Sequence, residues 1–399
     1  MIIELHLLQS FPVSNLNRDD VGQPKTATFG GHVRGRISSQ SLKRAARVLF
    51  QKDGLERYGL DPAEIGTRTK RLVSAAAGIL RDKNGRPEVE AAGVAEAGIR
   101  ALGFGLDERR KDQRLTQYLL FVGSTAAALL ADYCERDWDR LAADAAARAK
   151  AAGRKKATDG EENDEAEKKQ SKVKPDKQTV DEARRILDAG RVVDVALFGR
   201  MIADNKDFNV DAASQVAHAI STHAVANEYD YYTAVDDLQP EDQSGADMIG
   251  TVDFNAACYY RYANLDLDQL AKNLKGDTDL ISRATQAWLN VFIDAIPSGK
   301  QNSMAALTPP ESLLAVVRDR GAWNLANAFL RPVDEANLMV ASTRAMFGHF
   351  GRLRDFYGDA DLRAVAAASV TADVDGLPER EVVATRDDMV SRVLAATKA

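Results

Sequence analysis

Few side chains in this chain could do chemistry, and most of them gather in one stretch. Ser14 to Arg47, SNLNRDDVGQPKTATFGGHVRGRISSQSLKRAAR, carries seven cations: Arg18, Lys25, Arg34, Arg36, Lys43, Arg44 and Arg47. Amides, hydroxyls and glycines separate them, with almost no core-forming residue before Ile37. Ordering such a segment costs conformational entropy that apolar burial cannot offset. An extended anion lying against it could, and an RNA backbone suits its length. The alternative is a loop of solvated charge; Phe29 in its middle and the capped helix directly after it weigh against that. Asp19 and Asp20 are adjacent carboxylates that could serve hydrolysis or fold a turn. No second carboxylate, histidine or lysine group completes an acid–base pair with them. His218 and His223 are five apart, which suits metal ligation on neither a helix nor a strand face. Cys134 and Cys258 sit far apart in apolar contexts, as buried thiols of a reducing compartment do. Dinucleotide, phosphate-loop, nucleophile-elbow and zinc signatures are absent. These residue types point to binding, with no catalytic residue, metal or cofactor assigned.

The elements that must hold this stretch can be read in order. Ile2–Leu8 reads as a strand with Ile3, Leu5 and Leu7 on one face, and His6 as a packed histidine. After the basic loop, Ser38–Ser41 supply hydroxyls for a helix N-terminus, and Leu42, Ala45, Ala46 and Leu49 form its inner stripe. Lys43, Arg44 and Arg47 share an exposed arc near its start. Either this is an ordinary basic face, or an anion at the amide end relieves both dipole and cations. Leu55 to about Arg148 reads as alanine-rich helices without strand signals, one of them opened by Asp61-Pro62, with Leu115–Tyr133 the most apolar. Arg154–Lys177 mixes both signs of charge without apolar period and reads as disordered. Val180–Ala189 is expected to be helical, Val192–Phe198 a buried strand, and Ser214–His223 a strand. Asn227–Phe254 reads as a hairpin with a polar tip at Gln239–Gly245, followed by the aromatic strand Ala256–Leu265. Further on come a helix at Leu280–Ile296, a polar loop at Pro297–Ser303 and a strand at Leu313–Val317. Helices at Trp323–Phe329, Val333–Phe350 and Asp387–Ala396 close the chain, the last capped by Thr385.

Length and composition set the frame. The chain has 399 residues, 45% apolar, with net charge −6. Two or three structural units are expected, and any basic surface must be local. No signal peptide or membrane span is evident, so a cytoplasmic location is expected.

Five blocks, LNRDDVGQPKTATFGG, RISSQSLKRA, VDVALFGRM, DYYTAVDDL and IPSGKQNS, occur in this order. Together they resemble the CasC family, the RAMP-superfamily backbone subunit of type I-E Cascade, a CRISPR surveillance complex. The resemblance runs from about Ile2 to the C-terminus and departs most clearly at Arg154–Lys177. It implies an α+β fold: a modified ferredoxin-like (RRM/RAMP-type) palm over 1–54, 190–226 and 255–399. A helical fingers lobe, 55–189, holds the charged segment 150–178, and a thumb hairpin spans 227–254. It implies a non-catalytic subunit that polymerises head to tail along CRISPR RNA, with other Cascade subunits, and recognises target DNA through RNA pairing. No membrane is implied. The family's contacts with the RNA backbone fall on Asn17, Arg18, Lys25, Ser38, Gln40, Lys43, Arg44 and Arg47. The residue-level reading adds Arg34 and Arg36. Met201 and Tyr232 match an apolar wedge that interrupts base stacking, with Lys300 and Gln301 as further contacts. Related subunits in other CRISPR types cut RNA with a loop aspartate, so a metal-dependent endoribonuclease using Asp19 or Asp20 is the alternative.

Overall fold

The computed structural model describes residues 1–157, 177–188, 190–202, 206–234, 248–372 and 374–398. The chain divides into two compact units. One comprises 1–60, 213–272 and 276–399; the other comprises 61–212 with 273–275.

Among the described residues the first unit is built on a sheet of nine strands. They are β1 (Ile2–Ser14), β2 (Thr26–Phe29), β3 (His32–Ile37), β6 (Ser214–Val216), β7 (Ala219–Ser221), β8 (Glu228–Ala234), β9 (Met248–Asp266), β10 (Ser312–Arg318) and β11 (Leu362–Ser369). The order β11-β10-β1-β9-β7-β3-β2 is antiparallel throughout, with β6 and β8 also on β9. Helix α1 (Ser39–Tyr58) follows β3, and the helix Thr278–Asp294 lies between β9 and β10.

The pleat explains why β1 and β9 are central. Successive side chains of AACYYRYANL point to opposite faces. Cys258, Tyr260 and Tyr262 join Leu8, Leu314 and Val316 under Phe347 and Phe350 of the helix Leu338–Tyr357. On the other face Ala257 and Tyr259 pack with Phe11, Ile37 and Leu42. β10, buried on both sides, reads as a continuous apolar run over Leu313–Val317, whereas in β1 the second buried face carries Glu4 and His6 among its residues. His6 is packed as expected, with Nδ1 against the Tyr260 hydroxyl at 2.9 Å. Glu4 is buried beside Arg318 at 2.6 Å; Arg318 Nη2 has no hydrogen-bond partner among the described residues, and the guanidinium lies over the Trp323 ring, 3.5 Å from its centroid. The Tyr262 hydroxyl and the Trp323 amide both donate to Glu4.

β9 does two jobs along its length. Residues 255–266 pair with β1. Residues 248–254 pair instead with β8, from Glu228↔Phe254 to Ala234↔Met248. Every residue of β8 is exposed, so this outer ladder is a free-standing hairpin with only its base in the core. The expected hairpin and aromatic strand are therefore one continuous element. Its tip falls outside the described residues.

The second unit is mainly helical: Leu72–Asn84, Glu88–Ala101, Ala126–Arg136, Trp138–Ala157, Lys177–Ile186 and Val193–Phe198. Its core joins Leu72, Leu80, Val94, Ile99, Leu130 and Leu141. It also holds a two-stranded sheet, β4 (Thr67–Thr69) with β5 (Leu120–Val122). Strands were not expected there, and β5 takes the start of the apolar run read as one helix from Leu115. Most of the charged excursion, 158–176, lies outside the described residues, while 154–157 continue a helix.

Several expectations need correction. Val192–Phe198 is a helix, Val193–Phe198, and belongs to the second unit. A seven-residue apolar run has no period that separates strand from helix. Asp194 within it is fully buried and accepts the Gly66 amide at 2.7 Å. The loop after Arg18 is not without structure: β2 and β3 form a hairpin joined at Gly30 and Gly31, both at positive φ. The last helices begin at Leu338, where Val333 was expected, and at Arg386 after the Thr385 capping box. Trp323–Phe329 narrows to a 3₁₀ turn over Leu325–Phe329, and β11 went unread in an alanine-rich segment. No helix among the described residues is long and apolar enough to cross a membrane.

Candidate nucleic-acid interface

Three segments of the first unit converge on a groove of about 620 Å³. One wall is Leu16–Asp20 with Gly22. The second is α1 through Ser41, Arg44, Ala45, Val48 and Leu49. The third is Ile296, Ser298 and Gly299 of the polar loop.

Short polar bonds shape the first wall. Asp19 Oδ1 accepts the amides of Val21 at 3.1 Å and Gln23 at 2.8 Å. Asn17 Oδ1 accepts the Ser38 amide at 2.8 Å, and Ser38 Oγ accepts the Ser41 amide at 3.3 Å. Asn17 and Ser38 thus spend their side-chain oxygens building the start of α1. The first turn of α1 carries no acidic residue, so no carboxylate of that turn faces the amide end of the helix.

The third wall is placed by a glycine. A Cβ at Gly299 would stand 2.3 Å from the Leu16 carbonyl oxygen and 2.7 Å from that of Asn15. Only hydrogen fits, and the two distant loops meet there. Lys300 follows in the left-handed region at φ 52°. Gln301 Nε2 donates to the carbonyls of Pro297 and Ala306, both at 3.1 Å. That side chain braces its own loop, with Lys300 at the loop's corner.

The predicted cations separate into two groups. Arg18 and Arg44 are exposed, and Lys25 and Lys300 are half-buried. Among the described residues none of these four has a carboxylate within 4 Å. Gln40 is exposed and Lys43 half-buried. Arg36 is half-buried and reaches the Thr26 carbonyl at 3.2 Å and His218 Nδ1 at 3.1 Å. Burial, then the positive charges of Arg36 and Lys25, hold His218 below its ordinary pKa.

Arg34 and Arg47 do not belong to an exposed arc. Arg34 is 0% exposed. Its guanidinium donates to the Ser221 carbonyl at 3.0 Å and the Phe329 carbonyl at 2.7 Å, and burial lowers its pKa. It staples β3 to the segment before Leu330, where Gly30 also packs against the main chain. Arg34 is a structural cation and is withdrawn from the RNA-contact set. Arg47 is 9% exposed, so its arc narrows to Lys43 and Arg44.

Neither Tyr232 nor Met201 is among the residues that line the groove. Tyr232 is 44% exposed on β8, opposite Gly250. A Cβ at Gly250 would meet the Tyr232 hydroxyl at 2.5 Å, so the ring lies across that glycine. Met201 belongs to the second unit and is 80% exposed. A residue missed in the sequence holds it out. Arg200, buried, donates to the carbonyls of Phe208 at 2.9 Å, Phe121 at 3.1 Å and Leu187 at 2.8 Å. Burial brings its pKa down to about 10. The Arg200 and Val210 main chains bridge each other, and Gly199 at φ 75° packs beneath at a spacing no side chain fits. The adjacency of Gly199 and Arg200 to Met201 was the available signal.

Comparison with known proteins bears on this arrangement. A chain titled "CRISPR RNA-guided surveillance complex, pre-nicking" superposes with a TM-score of 0.77 at 29% identity, covering 99% of this chain and 100% of that one. A second, titled "CRISPR RNA-guided surveillance complex", gives 0.72 at 25% identity with the same coverage. No curated protein matches the chain. The family model described as CT1975-like protein matches residues 3–394. Both structural neighbours are titled as the kind of assembly that the five sequence blocks resemble. The chain belongs to the CT1975-like protein family.

Proposed function

We propose that the chain is a non-catalytic backbone subunit of a Cascade-type surveillance complex, holding CRISPR RNA in the groove and polymerising head to tail along it. The sheet order β10-β1-β9-β7, with α1 and the helix Thr278–Asp294 as its crossovers, is read as a modified ferredoxin-like palm. The helical unit is read as fingers and the β8–β9 hairpin as a thumb for the next copy. One observation carries the reading. The groove joins the exposed cations Arg18 and Arg44 and the start of a helix with no acid in its first turn. Exposed cations without partners contribute little to folding, while a phosphodiester backbone would engage several at once. Such contacts position a strand without reading its bases, as a subunit for any guide requires. Lys25, Arg36, Gln40, Lys43, Lys300 and the main chain near Asn17 and Ser38 extend the track. Met201 and Tyr232 are proposed as the wedge against stacked bases. Further copies, the other complex subunits and target DNA paired to the guide are the proposed partners.

Asp19 and Asp20 line the same groove and keep the endoribonuclease reading open to test. Asp19 is already engaged by two amides, which favours its turn-forming role.

The deciding experiment is purification from cells carrying a CRISPR array, followed by sequencing of bound RNA. RNA of uniform length with repeat-derived ends is expected. Protein that elutes free of RNA as a salt-insensitive monomer would overturn the reading. Loss of guide-directed RNA cleavage in Asp20→Ala would establish the nuclease instead.

A further inference from the structure

We propose that Asn15 is a positioning residue, whose one buried amide ties the β8–β9 hairpin to the loop Arg18–Lys25 so that the two respond together. Its consequence rests on the RNA-binding reading above; its geometry does not. Asn15 is 1% exposed. Its Nδ2 donates to the Gly22 carbonyl at 2.9 Å, within the loop, and to the Asp253 carbonyl at 2.8 Å, at the hairpin base. With both protons on carbonyls the amide has one admissible orientation, because the flipped group would set oxygen against two oxygens.

That orientation leaves Asn15 Oδ1 buried without a donor among the described residues. An acceptor stranded in this way is costly to keep. A residue with a single donor and no stranded acceptor would be cheaper if only the loop needed folding. What asparagine supplies is two divergent donors from one rigid group, joining segments 7 and 238 positions away in the chain.

The surroundings reinforce the tie. Asn227, just before β8, donates to the Pro24 carbonyl at 3.4 Å and accepts from Asn255 Nδ2 at 3.4 Å. Gly299 presses on the main chain of Asn15 itself. Every residue of β8 beyond this point is exposed, so the base alone sets the hairpin's direction. A strand seated on the loop is then felt at the hairpin, and contact made by the hairpin is felt at the loop. Such coupling is reciprocal.

Hydrogen exchange on the full chain tests this. Without RNA, Asn15→Ala is expected to speed amide exchange about tenfold or more in both Asp19–Lys25 and Tyr229–Thr233, while Asn227→Ala changes much less. Asn15→Ser, which keeps one donor, supplies the readout if the alanine variant does not fold. Loosening of only one segment, or of neither, overturns the proposal. A short oligouridylate is expected to protect both segments in the wild type and the loop alone in Asn15→Ala. Hairpin protection that persists in the variant also overturns it. A wild type protected nowhere counts against the RNA reading, and the RNA-free arm still decides the role of Asn15.

Discussion

Replacing Arg18 and Arg44 together by alanine should leave the fold intact and change how RNA binding responds to salt. Both side chains line the groove and are exposed. Surface substitutions of this kind usually shift stability by less than about 0.5 kcal/mol. Lys43 and Arg47 are the pair that the sequence alone would suggest, but Arg47 is 9% exposed, and its loss would confound folding with binding. On a single strand each phosphate contact contributes about 0.7 to the slope of log affinity against log salt. Two lost contacts flatten that slope by about 1.4. Over a fourfold rise in salt, from about 50 to 200 mM, wild type should lose about sevenfold more affinity than the double variant. Fluorescence anisotropy with a labelled oligonucleotide across that range measures both slopes. A second oligonucleotide of unrelated sequence should give the same difference, since phosphate contacts carry no sequence information. Parallel salt dependences for wild type and variant would refute the placement of the strand against these two residues.

Other substitutions separate structural from binding roles. Arg34→Met should destabilise the protein by about 2–4 kcal/mol, because two buried carbonyls lose their donors; denaturant unfolding checks this, and the salt slope should not change. Tyr232→Ala should weaken binding by about 1–3 kcal/mol if a base stacks there, with Tyr232→Phe close to wild type. His6 has its pKa lowered to about 3, first by burial and then by the Arg318 charge. Its unfolded form binds a proton that the folded form refuses, so its contribution is complete above about pH 6.5 and is lost as pH falls toward about 3. His6→Gln should flatten unfolding free energy against pH in that window by up to about 1.4 kcal/mol per pH unit.

Local patterns determined a good part of this molecule. The period of Ile3, Leu5 and Leu7, the hydroxyls before Leu42 and the Thr385–Asp388 capping box each act within a few residues, and each formed where expected. The five blocks were specific enough to point to the family. The tertiary structure decided what depends on distant partners. Arg34 and Arg44 look alike in sequence. One is buried because the carbonyls of Ser221 and Phe329, 187 and 295 positions away, converge on it; the other faces the groove. Val193–Phe198 is helical where a strand was expected, with Asp194 bonded to the amide of Gly66, 128 positions back. The polar loop reaches the basic one because Gly299 lacks the atom that would strike Leu16. Periodicity reports which side of an element is apolar. Whether a charge is buried or a loop is seated is settled by which main-chain acceptors the folded sheet brings within about 3 Å.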